Sequence, residues 1–150
     1  RGHSRLGPLK YLLDTCVLSE LVKASPDRRV LRWIASMEGR ELCISSMTWG
    51  ELQSGVARLP ESKRRSELLL WLQQLEINFD GRIFAFTQEV AEVWALMTVQ
   101  ASLRGKSISA FDSIIAATAR SHGCSLVTRN VSDFSESGVE VLNPWEFGND

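Results

Sequence analysis

Apolar residues along this chain follow two rhythms. Five short runs are apolar and bounded by polar or turn residues: KYLLD at 10–14, LCISS at 42–46, RIFAF at 82–86, CSLVT at 124–128 and VEVLN at 139–143. Runs of this length predict buried strands. The segments between them carry helical spacing instead. Val17, Leu18, Leu21 and Val22 follow the first run. SPDRRVLRWIASMEG places Pro26 near a helix start and Gly39 past its end, with Val30, Leu31 and Ile34 on the expected buried stripe. TWGELQSGVARLP is a helix stopped by Pro60, and SKRRSELLLWLQQL is amphipathic, with Leu68, Leu69, Leu72 and Leu75 on its apolar side. TQEVAEVWALMTVQASLRG is a long helix ending at Gly105.

Strands alternating with helices predict an α/β domain of three layers, α/β/α, around a mostly parallel sheet of about five strands. No internal repeat or linker interrupts it. A chain of 150 residues with 44% hydrophobic and 23% charged residues fits one globular domain. No apolar run reaches the roughly 18 residues of a membrane span. RGHSRLGP at the start lacks a signal-peptide centre and is expected to be an added tail over residues 1–9, with the domain spanning 10–147. Nothing directs export, so a cytoplasmic protein is expected.

The chemistry narrows by elimination. Cys16, Cys43 and Cys124 are far apart and apolar-flanked, which suits buried thiols rather than a disulfide framework or zinc knuckle. Of two histidines, His3 lies in the tail and His122 ends a helix before Gly123, where it suits the helix dipole. Neither a histidine-rich metal site nor a Ser–His–Asp triad can be assembled. Net charge is −1. The basic clusters at Arg28, Arg29 and Arg32, at Lys63, Arg64 and Arg65, and at Arg104 and Lys106 are each expected to be solvated faces.

Carboxylates remain. Residues 109–123, SAFDSIIAATARSHG, form a nearly all-apolar helix with Asp112 inside it, where a carboxylate is costly without a compensating partner. Asp14 ends the first strand, Glu51 opens the helix after the second, and Asp133 follows the fourth within TRNVSDF. Singly, each has a local explanation. Ser109-x-x-Asp112 and Thr48-x-x-Glu51 have the letters of capping boxes, Asp14 suits an N-cap, and Asp133 suits a turn cap. Together they stand at element ends that the topology brings to the carboxyl edge of the sheet, the usual functional crevice. Acids gathered there repel unless a cation separates them. Oxygen donors alone imply a hard ion, Mg²⁺ or Mn²⁺, and phosphodiester hydrolysis as the reaction class.

The segments LLDTCVLSELV, SSMTWGELQSGV, ISAFDSIIAATARSHGCSLVTRNVSDF and VLNPWE occur in the order found in a known family. In them the chain resembles the PIN-domain ribonucleases, specifically the VapC (FitB-like) toxins of toxin–antitoxin pairs, over Tyr11 to Glu146. The resemblance implies a PIN fold, Mg²⁺- or Mn²⁺-dependent endoribonuclease activity on RNA, a homodimer, and inhibition by a cognate antitoxin, with operator DNA reached only through that antitoxin. Carried over by position, Asp14, Glu51 and Asp112 are catalytic metal ligands. Asp133 matches the family's fourth acid, while Asn130 stands where some relatives carry a further one. Thr15, Thr128 and Asn130 are supporting residues. Cys16 departs from the Asn or Ser common after Asp-Thr. The alternative is an inactive PIN-like binding module whose acids are only helix caps. A receiver domain or an aspartyl phosphohydrolase fits less well, for want of adjacent acids or of Asp-x-Asp. An antitoxin is expected to reach the acid cluster with Arg or Lys and to lay an amphipathic helix over Leu18, Leu21 and the apolar side of the third helix.

Overall fold

The computed structural model of the chain describes residues 10–148; the expected tail over 1–9 lies outside them. Strands β1 (Tyr11–Leu13), β2 (Leu42–Ser45), β3 (Ile83–Phe84), β4 (Ser125–Val127) and β5 (Val141–Leu142) form one sheet of order β3-β2-β1-β4-β5. Every pairing is parallel. Helices α1 (Thr15–Leu21), α2 (Arg28–Ser36), α3 (Ser46–Ala57), α4 (Lys63–Asn78), α5 (Gln88–Leu103) and α6 (Ala110–Ser121) connect and cover it. Among the described residues, no helix is long and apolar enough to cross a membrane.

Strand alternation sorts the core into two halves. Leu13, Ile44 and Val127 face one side, where Val17, Leu18, Val30, Trp33, Leu52 and Leu72 from α1 to α4 cover them. Leu12, Cys43 and Leu126 face the other, against Val90 and Met97 of α5 and Ile115, Ala116 and Ala119 of α6. Buried on both faces, the strands need no polar alternation, which is why they appear as continuous apolar runs. Cys43 and Cys124 are free thiols with sulfurs 3.7 Å apart. Cys43 lies on β2 and Cys124 just before β4, with β1 between those strands.

Helix ends follow the expected chemistry. Gly105 and Gly123 take positive φ just beyond α5 and α6. There Lys106 N donates to Ala101 O at 2.9 Å and Cys124 N to Ala119 O at 2.8 Å, closing the last carbonyls. Asp27 caps α2, and the Arg29 guanidinium beside it holds its carboxyl down to about 2. All three basic clusters are partly tied into the fold. Arg29 pairs with Asp27 at 2.9 Å and Arg104 with Glu136 at 3.0 Å, while Arg64 donates to the Val22 carbonyl.

Three stripes differ from the sequence pattern. On α2 the buried residues are Val30 and Trp33, with Trp33 edge-on to Tyr11 at 5.4 Å, whereas Leu31 is exposed. Val30 is buried and Ile34 packs partly buried on the same core, as the stripe predicts, and Trp33 takes the place expected for Leu31 because the larger indole covers more apolar surface. On α4 only Leu72 and Leu75 are buried and Leu69 is exposed, since α4 packs on α3 rather than on the sheet and one narrow seam suffices. In α6 the first turn projects beyond the sheet, leaving Phe111 exposed while Ser113 and Ile115 to Ala119 are buried.

Replacing Trp33 by Ala is expected to cost about 3–5 kcal/mol, the range for a buried aromatic side chain. Leu31→Ala is expected to cost about 1 kcal/mol or less. Urea denaturation of both variants checks the reassigned face.

Candidate active site

The sheet branches at β1: β2 and β3 lie to one side, β4 and β5 to the other. At that switch point the carboxyl ends of β1 and β4 adjoin, and a crevice opens outside them. Asp14 follows β1 and is buried, only 7% exposed. Its backbone N–H donates to Val127 O at 2.9 Å, continuing the ladder for one residue. As the N-cap of α1, its Oδ1 accepts from Thr15 N at 2.8 Å. Its Oδ2 accepts from Thr128 Oγ1 at 2.8 Å. The Thr128 hydroxyl in turn accepts from Asn130 N at 3.1 Å, which fixes its proton toward Asp14. Asn130 thus contributes its backbone to the site.

Cys16 stands against the same carboxylate, its thiol 3.8 Å from Asp14 Oδ2 and 3.5 Å from Thr128 Oγ1. Burial pushes that thiol's pKa up, so it stays protonated and adds a weak donor. Thr128, not residue 16, supplies the strong side-chain bond. Burial also raises the Asp14 pKa above its ordinary value, opposed by the Thr128 hydroxyl and the Thr15 N–H and reinforced by the charge of Asp112.

Glu51 does not close a capping box with Thr48. Strand β2 ends one residue earlier than expected, so Ser45 caps α3 and accepts from Thr48 N at 3.0 Å. Glu51 Oε1 instead accepts from Thr15 Oγ1 at 2.6 Å. The Thr48 hydroxyl lies 3.4 Å from Thr15 Oγ1 and 3.3 Å from Ser45 Oγ, in full burial. Thr15 therefore touches Asp14 through its N–H and Glu51 through its O–H. Ser45 and Thr48 are missed by sequence reasoning, although Ser45-x-x-Thr48 at a strand end carries the cap signal.

Asp112 sits in the first turn of α6, half-buried. Its backbone N–H donates to Ser109 Oγ at 3.3 Å, but its carboxylate returns no bond, so only half of the expected capping box forms. Among the described residues, no protein group donates to that carboxylate. The turn is held from below: Trp94 Nε1 donates to Ser113 Oγ at 2.9 Å, and Ser113 Oγ donates to Ala110 O at 2.7 Å.

Asp133 does not join these three. It lies exposed in the 3-10 turn Val131–Phe134, which it does not cap through its side chain. Among the described residues, no three acidic, histidine or cysteine side chains stand close enough to hold a metal ion together. The expected four-acid cluster is thus looser than foreseen. Bare carboxylates repel, and Glu51 is drawn to the Thr15 hydroxyl instead. His122 ends α6 as expected and stacks on Phe84 with centroids 3.9 Å apart, where partial burial lowers its pKa.

The donor set nevertheless suits a hard divalent cation. Mg²⁺ is commonly held by one or two carboxylates, with water and substrate phosphate completing the shell. Asp14 and the unpartnered Asp112 are two such groups, with no softer ligand beside them except a protonated thiol.

Comparison with known proteins gives a consistent picture. Residues 11–137 match the PIN domain family. The chain is 40% identical over 139 residues to the VapC ribonuclease Y4jK of Sinorhizobium fredii, covering 90% of this chain and 97% of that protein. It is 38% identical over 135 residues to toxin FitB of Neisseria gonorrhoeae, covering 89% and 97%. A chain in the structure of FitAB bound to an IR36 DNA fragment superposes with a TM-score of 0.86 at 37% identity, covering 90% of this chain and 95% of that one.

Asp14→Asn is expected to raise the melting temperature of the metal-free protein. The amide keeps the cap to Thr15 N and removes a desolvated charge that Asp112 further disfavours. Because the folded state raises this pKa, the charged form costs stability at neutral pH, and the cost fades as acid protonates Asp14. The gap between variant and parent should therefore be widest at neutral pH and shrink on acidification, as read by calorimetry across pH.

Proposed function

This chain belongs to the PIN-domain family, and from that premise we propose that it is a metal-dependent endoribonuclease, the toxin of a toxin–antitoxin pair. The carrying observation is geometric: Asp14 is buried at the switch point and held by the Thr15 N–H and the Thr128 hydroxyl, with the charge of Asp112 among the causes that raise its pKa. Glu51 is joined to Asp14 through Thr15. The reading of the acids as mere caps accounts for Asp14 only. The carboxylates of Glu51 and Asp112 cap nothing.

In this mechanism Asp14 and Asp112 would hold Mg²⁺ or Mn²⁺, with Glu51 and Asp133 as the further acids that would complete the centre. A cation held there would supply Lewis-acid stabilisation of phosphate charge. Thr128 and Thr15 keep the Asp14 carboxylate in one orientation, so little reorganisation is left for the reaction itself. Asn130 holds the Thr128 hydroxyl. The free oxygen of Glu51 is placed to orient or accept a proton from water.

We assign its restraint to a partner protein. Leu18 is fully buried in the core and cannot receive a docking helix as expected. Leu69, Leu70 and Ile77 on α4 are exposed and offer the apolar area instead. A cationic side chain from that partner pairs with the unpartnered Asp112 and replaces the metal's charge. Leu96, Val99 and Leu103, exposed at helical spacing on α5, suit contact with a second copy in a homodimer. DNA is reached through the antitoxin, and the protein works in the cytoplasm.

Asp112→Asn is expected to lower RNA cleavage at least about 100-fold, the loss of several kcal/mol of metal-borne stabilisation. Its fold should persist, because the α6 cap uses the backbone N–H rather than the carboxylate. Chelation of the parent should silence it equally, and full activity in excess EDTA would refute the metal reading. For the partner, calorimetric titration of Mn²⁺ into toxin alone and into the toxin–antitoxin complex should give weaker binding in the complex. Equal affinities would leave only steric exclusion of RNA.

A further inference from the structure

Glu51 also forms part of a second feature. A groove of about 400 Å³ opens between α3 and the first turn of α6, with Gly50, Glu51, Gly55, Arg58 and Phe111 in its wall. Its volume falls within the range of about 300–1,000 Å³ common to small-ligand sites. Two glycines inside one helix are costly, each about 1 kcal/mol relative to alanine. Packing does not require them here, since a Cβ at either position would meet nothing within 4 Å. Their effect is to keep the groove open. Phe111 presents its ring to solvent at 55% exposure, although the middle of α6, from Ile115 to Ala119, is buried. Arg58 forms no ion pair within the described residues.

We infer that this groove binds a nucleotide of single-stranded RNA adjoining the cleaved bond, with Phe111 stacking on its base and Arg58 pairing with a phosphate. The inference rests on the ribonuclease reading and names a subsite for it. Three features favour this occupant. The groove is continuous with the acid centre through Glu51, so a strand crossing Asp14 and Asp112 enters it directly. Its composition, an exposed aromatic ring and an unpaired guanidinium on an open wall, is that of a single-strand platform. The chain carries a net charge of −1, so affinity for a polyanion has to come from individual cations beside the site rather than from a basic surface.

The test uses Asp112→Asn protein in Mg²⁺, with two labelled probes read by fluorescence anisotropy: a short oligouridylate and an abasic ribose-phosphate oligomer of equal length. Phe111→Ala is expected to weaken oligouridylate binding at least about 5-fold, the low end for stacking one base on an aromatic ring, and to leave the abasic probe unchanged. Arg58→Gln is expected to weaken both probes and to reduce the salt slope by about 0.7, the value for one phosphate contact on a single strand. Both side chains are exposed, so melting temperatures should hold. Unchanged binding, or equal loss on both probes for Phe111→Ala, overturns the subsite. A halved mass in solution with RNA binding intact would assign the groove to a contact between copies, and likewise overturns it. If the parent neither binds nor cleaves RNA, the ribonuclease reading falls as well.

Discussion

A buried carboxylate at the branch point of the sheet is the constraint on which the site depends. Asp14 is desolvated by the strands and helices around it and would be costly there alone. What stabilises it is a short set of donors, each set by backbone geometry: the Thr15 N–H at the helix start, the Thr128 hydroxyl from the neighbouring strand, and the weak Cys16 thiol. The Asp14 N–H bonded to Val127 fixes the register of β1 against β4, so the same contact that extends the sheet aligns Asp14 with Thr128. Moving either strand by one residue would turn the carboxylate or its hydroxyl partner to the other face.

The other acids are held less firmly. Glu51 is anchored by one hydroxyl, Asp112 has no donor, and Asp133 is exposed. This gradient suits a site with one fixed ligand and several adjustable ones. The fixed group is satisfied within the protein, and the adjustable groups retain unused lone pairs for a cation, a water or a partner's cationic side chain. Thr15 matters more than its ordinary position suggests, because it bonds to two of the acids, Asp14 and Glu51.

The apolar surface is divided in a similar way. The two core halves on either side of the sheet are closed by α1 to α4 on one face and by α5 and α6 on the other. Helix α4 lies on α3 and leaves Leu69, Leu70 and Ile77 outside, and the outer face of α5 leaves Leu96, Val99 and Leu103. These exposed faces carry little of the fold's own stability. They are the regions available for association, which a small single-sheet domain has in surplus.

Sequence alone determined the alternation of strands and helices, the glycine stops at Gly105 and Gly123, and the edge of the sheet at which Asp14, Glu51 and Asp112 stand. Those features depend on local propensity, on period and on the connection rules of parallel sheets, all of which are written in short stretches of chain. Tertiary structure decided the rest. Trp33 displaced Leu31 from the core because side-chain volume, not hydrophobicity alone, selects the packed face. Ser45 took the cap from Thr48 because the strand's end is set by its neighbours. Glu51 turned to Thr15, residues 36 apart in sequence, and Asp133 stayed outside. No local pattern encodes which hydroxyl a carboxylate meets across two elements, since that depends on where the folded sheet brings their ends together.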